Sequence, residues 1–133
     1  MTSQNFWRVN RNGKDGTGLV AIEHDVSDTA VAGASKPMAH AAFVDMEGQF
    51  TAGVWACDAG TLEIRNLAVN EACYLIEGTV VITDGHGHSE TFHAGEGFVL
   101  PRGFSGIWHM PVAIRKYNAM HSPDGGLVPM EGG

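Results

Sequence analysis

The sequence predicts an all-β domain. Short runs of strand-forming residues recur between turn residues over much of its length, and glycine, at 18 of 133 residues, supplies the turns. Closely spaced short strands of this kind point to a sandwich or barrel rather than to alternating helices and strands. A chain of 133 residues forms one domain and is long enough to bury a hydrophobic core without disulfide staples.

Residues 1–45 read as an irregular N-terminal extension with one strand, Gly18–His24. Within it, residues 27–35 (SDTAVAGAS) suggest a short helix capped by Ser27, whose hydroxyl can accept from a first-turn N–H. Residues 46–121 carry the barrel. Its strand candidates are FTAGVWAC, TLEIRN, EACYLIE, TVVIT, HSETFH, GFVL, GIWH and VAIRKYN. Residues 122–133 (SPDGGLVPMEGG) are rich in proline and glycine and read as a loose tail.

Composition narrows the function. A net charge of −7 argues against nucleic acid or an anionic membrane as partner. No stretch is long and apolar enough to span a membrane, and the N-terminus lacks the apolar core of a signal peptide. The only two cysteines, Cys57 and Cys73, each sit in an apolar run, as buried thiols of a reduced cytoplasmic protein would.

The most conspicuous cluster of metal-ligand side chains is TDGHGHSETFHAGE, Thr83 to Glu96. Asp84-Gly85 is a strong hairpin signal, which puts His86 at a turn tip and His88 at the start of the returning strand. His93 lies five residues further on, about 16 Å along a strand and on the opposite face from His88. His86 and His88 could chelate a divalent ion only weakly, because protein metal sites need three or four converging ligands. The stretch reads as a solvated turn.

The flanking segments carry more. EACYLIEG (71–78), the hairpin, and then GEGFVLPRGFSGIW (95–108) resemble the two consecutive motifs of the cupin superfamily. From Thr51 to Tyr117 the sequence is similar to the small single-domain cupins grouped with ureidoglycine aminohydrolase and the ethanolamine-utilization cupin. The resemblance implies an RmlC-like double-stranded β-helix, a jelly-roll barrel usually paired into a homodimer, with any small-molecule ligand in the barrel mouth. It also implies metal ligands at four positions, which here hold Ile64, Asn66, Glu71 and Gly106. Only Glu71 is a metal ligand of the expected type, so neither a motif-bound metal nor another cofactor is expected.

Strand alternation then fills the barrel. With Glu71 inward, Cys73 and Leu75 share its face, while Tyr74 and Ile76 point out and offer a dimer surface. Ile64, Asn66, Trp55 and Trp108 are expected to line the interior and, with Cys73, to bind any ligand there, and His109 to point away. A carboxylate in such surroundings needs a proton or a cation. The resemblance favours Lys116 over Arg115 as that cation. The Glu71–Lys116 pair is either a structural ion pair or an acid/base site acting on a polar metabolite. Two function classes follow: a metal-independent enzyme of isomerase, lyase or amide-hydrolase type, or a non-catalytic metabolite-binding or accessory dimer.

Overall fold

The computed structural model describes residues 6–22 and 28–127. Its strands are β1 (Val20–Ala21), β2 (Asp28–Gly33), β3 (Met38–Val44), β4 (Phe50–Cys57), β5 (Gly60–Ile64), β6 (Asn70–Glu77), β7 (Thr79–Asp84), β8 (Ser89–His93), β9 (Gly97–Leu100), β10 (Gly106–Met110) and β11 (Ile114–His121). They form two antiparallel sheets, β1-β3-β4-β11-β6-β9 and β2-β5-β10-β7-β8. The chain crosses repeatedly between the sheets, as a jelly roll requires.

The N-terminal extension is more regular than its composition suggests. It supplies three strands to the barrel rather than one. The stretch expected to be helical is β2, which pairs with β5 from Asp28↔Ile64 to Gly33↔Gly60 across a bulge at Ala30/Ala32. Ser27, its expected cap, lies outside the described residues, as do Glu23 and His24 at the end of the first strand candidate. Unpaired ladder groups on the edge of β5 outweigh the weak helix preference of small residues. The start of the tail is tied down as well. Ser122 N donates to Gln49 O and Leu127 N to Gly48 O, both at 2.8 Å, while Leu127 packs against the core.

The core lies between the inner faces of the sheets. Trp55, Cys73, Leu75 and Ile114 from one meet Leu62, Ile64, Val80, Ile82, Trp108 and Met110 from the other. The β6–β7 turn that joins the sheets rests on Gly78, at φ +85°, where a Cβ would stand 2.4 Å from Ala113 O. Only glycine fits there without moving backbone.

A buried ion pair behind an aromatic cleft

Inward positions of β6 and β11 build the polar centre. In the ladder, Met120 lies opposite Glu71, Asn118 opposite Cys73, and Lys116 opposite Leu75. Lys116 therefore starts two positions beyond Cys73 and extends back along the strand to reach the carboxylate. Its Nζ donates to Glu71 Oε2 at 2.8 Å and contacts Cys73 Sγ at 3.4 Å. Asn118 Nδ2 donates to the same Glu71 oxygen at 3.1 Å.

Two indoles enclose the cation. Lys116 Nζ lies 4.4 Å from the Trp108 ring centroid and 4.9 Å from that of Trp55, and the two rings meet edge to face. Each such contact contributes about 0.5–2 kcal/mol, more where water is excluded. The Glu71 and Lys116 side chains are only 12% and 6% exposed. Burial alone would raise the Glu71 pKa. The Lys116 charge and the hydrogen bonds from Lys116, Asn118 and Cys73 outweigh it and hold the carboxyl below its ordinary value. The Cys73 thiol moves the other way, pushed up to about 12 by burial and by the Glu71 charge against the opposing pull of Lys116. It is no thiolate nucleophile.

The other expected residues divide. Ile64 is buried and pairs with Gly106, Trp55 and Trp108 flank the cation, and His109 points out to Thr61 Oγ at 2.8 Å. Asn66 is a correction. It is exposed, because β5 ends at Ile64 and the chain turns through a left-handed conformation at Asn66, φ +48°. Its N–H donates to Ser105 Oγ at 2.9 Å. Strand alternation does not extend through a turn. Asn118, which sequence reasoning missed, shares the parity of Lys116 two residues earlier.

The positions at which cupin motifs carry a metal do not fit one here. An isoleucine, an exposed asparagine and a glycine accompany a glutamate already held by a lysine and an amide. A Cβ on Gly106 would stand 2.7 Å from the Phe104 ring and 2.2 Å from Thr83 O, so the side-chain space at that position is filled. Among the described residues, no three His, Cys, Asp or Glu side chains converge in a way that could hold a metal ion.

The open space lies beyond Trp108. A cavity of ≈ 220 Å³ is walled by Ile82, Phe92, Phe98, Leu100 and Phe104, with Asp84, His88 and Glu90 among the rest of its lining. Strands β7 and β8 supply one side, and β9 with the loop after it supplies the other. Tilted ring contacts connect it to the ion pair: Phe92–Phe98 at 4.5 Å and Phe98–Trp108 at 5.6 Å between centroids. None of the expected site residues Glu71, Lys116, Asn66, Cys73, Trp108, Ile64 and Trp55 lines this cavity. His86 stays at the exposed turn tip, but His88 belongs to the cavity lining and reaches Glu90 Oε2 at 3.3 Å. The hairpin is thus part of a pocket wall as well as a turn.

The EutQ protein of Clostridium difficile superposes with a TM-score of 0.58 at 20% identity, over 67% of this chain and 70% of that one. A protein assigned to ethanolamine utilization (EutQ) from Salmonella typhimurium gives the same TM-score and identity over 70% and 76%. A DUF861-family protein of unknown function from Pseudomonas syringae gives 0.64 at 21% identity, over 84% of this chain and 46% of its own length. No curated protein matches the sequence. At these identities the structures establish the fold, while the sequence family described as EutQ-like cupin domain matches residues 44–117. With more than half its length in that match, the chain belongs to the EutQ-like cupin domain family.

Proposed function

We propose that this cupin binds a small molecule without a motif-bound metal, in the aromatic cleft between β8 and β9. The observation that carries the reading is the convergence of Phe92, Phe98 and Phe104 on one cavity with two carboxylates, Asp84 and Glu90, in its lining. Apolar walls with a few polar groups are the usual composition of ligand sites, and ≈ 220 Å³ suits a ligand below drug size. Aromatic faces beside carboxylates favour a compact organic cation, by cation–π attraction and charge pairing.

The Glu71–Lys116 pair supports this pocket from behind rather than acting on its occupant. A general base must reach the proton it takes. Glu71 is nearly closed from solvent, its Oε2 already accepts two donors, and Phe98 and Trp108 stand between the cavity and the cation. Benzylamine is a suitable probe. Its titration should shift the resonances of Phe92, Phe98 and Phe104, and Glu90→Gln should weaken binding about tenfold, the effect of one charge-assisted contact. A substrate whose turnover vanishes in Glu71→Gln at unchanged stability would instead establish acid/base catalysis.

We also propose a homodimer that covers the outer face of the six-stranded sheet. Phe50, Tyr74 and Val99 are exposed there, and Phe50, Ala72, Val99 and Ala119 line a shallow hollow. Apolar knobs beside a hollow on one face suit a two-fold contact between copies. Light scattering at micromolar concentration should return twice the chain mass, and a monomer would refute this assembly. A cytoplasmic location is part of the same proposal, supported by two buried free cysteines in a small cupin domain.

A further inference from the structure

We infer a second small-molecule site, separate from the aromatic cleft, where Trp7, Arg8 and Lys14 receive a phosphate monoester that carries a flat ring. The N-terminal loop and β3 enclose a hollow of ≈ 480 Å³ lined by Trp7, Arg8, Asn10, Lys14, Asp15 and His40, among others. Its size is in the range of small-ligand pockets.

Charge distribution is the first argument. The chain has eight Lys and Arg residues against 15 Asp and Glu. Arg11, Arg65, Arg102, Arg115 and Lys116 are all engaged by carboxylates. The remaining three, Arg8, Lys14 and Lys36, make no ion pair among the described residues, and two of them, Arg8 and Lys14, line this one hollow. Two cations facing one hollow repel each other, and an anion bound in it relieves that cost. Asp15, also in the wall, leaves the Arg, Lys and Asp side chains with a net positive charge. A phosphate monoester carries about 1.5–2 negative charges near neutral pH and matches an arginine fork plus a lysine.

The loop is also built to hold its shape. Gly18 N donates to Asn12 O at 2.6 Å, Gly16 N to Gly13 O at 3.1 Å, and Asn12 N to Asn10 Oδ1 at 2.8 Å. Gly13 has φ +82°, and a Cβ there would stand 2.3 Å from Gly18 O, so the turn closes only with glycine. The Arg11 guanidinium pairs with Glu77, and Arg115 donates to Arg11 O, which fastens the loop to the barrel. Trp7 is half-exposed and meets Phe43 edge to face at 4.9 Å. The braced indole gives a flat ring a surface beside the two cations.

Phenyl phosphate, titrated into the full chain, tests the site by tryptophan fluorescence and by amide shifts. The expected result is a shift of the Gly13, Lys14 and Gly16 amides. Binding should be about tenfold or more weaker after Arg8→Ala with Lys14→Ala, and unchanged after Arg65→Ala. Inorganic phosphate should bind more weakly than phenyl phosphate. Millimolar phenyl phosphate that leaves the loop amides of the unmodified protein unmoved overturns the proposal, whether or not the variants fold. So does undiminished binding by the double variant, or equal affinity for inorganic phosphate.

Discussion

Replacing Lys116 with methionine isolates the charge at the centre of the barrel. Methionine keeps much of the stem that packs between Trp55 and Trp108 but leaves Glu71 without its cation. At a separation of 2.8 Å and an effective dielectric near 20, the gross attraction is about 6 kcal/mol. Desolvating the two charges costs several kcal/mol each, so the pair as a whole contributes little net stability. Removing one partner differs from removing both, because the other charge stays buried. We expect Lys116→Met to lower unfolding stability by about 3–5 kcal/mol at pH 7, read from urea midpoints at constant slope. The deficit should shrink toward acid pH, because an unpaired buried Glu71 titrates above its ordinary value and protonation then removes the buried charge. Glu71→Leu combined with Lys116→Met should recover most of the loss. A single-variant loss below about 1 kcal/mol, or a double variant no better than the single, would refute the reasoning.

Three other outcomes follow from the same chemistry. Glu71 has a folded pKa below its unfolded one, so its contribution is present above the unfolded value near 4.5 and is lost as pH falls through the folded value. Thermal unfolding between pH 6 and 3 should therefore show a steeper acid loss in the unmodified protein than in Glu71→Gln, and parallel profiles would count against the paired carboxylate. Cys57 and Cys73, both pushed up to about 12 chiefly by burial, should resist thiol reagents at pH 8 and react fully in denaturant, whereas rapid native-state labelling would show that the barrel opens. Purified protein treated with a mild chelator should carry far less than one transition metal per chain, and a stoichiometric Mn, Fe, Ni or Zn would overturn the donor-set argument.

The barrel was legible because its strands alternate cleanly. Glu71, Cys73 and Leu75 share a face by period two, and so do Lys116 and Asn118. The choice of Lys116 over Arg115 rests on the family resemblance, and the closeness of Lys116 and Asn118 to Glu71 on the β6–β11 register. The reading failed where the period stopped. Asn66 was carried inward by extending β5 past Ile64, whereas the chain has already turned there. β2 and β3 are rich in alanine, and their identity as strands comes from the partners they meet, β5 and β4, rather than from their own residues. The aromatic cleft was hidden for a related reason. Phe92, Phe98 and Phe104 belong to β8, β9 and a loop, and only the tertiary fold brings them together. His88 is legible in the sequence as a hairpin residue, but its place in a pocket wall is not, since one strand's sequence does not reveal what packs across from it.

An experimental structure with the tightest-binding organic cation from a metabolite screen tests the central claim most directly. The account predicts the ligand in contact with Phe98 and Phe104, its charge near Glu90, and the Glu71–Lys116 pair intact behind Trp108. A ligand that displaces Lys116 and bonds directly to Glu71 would contradict it.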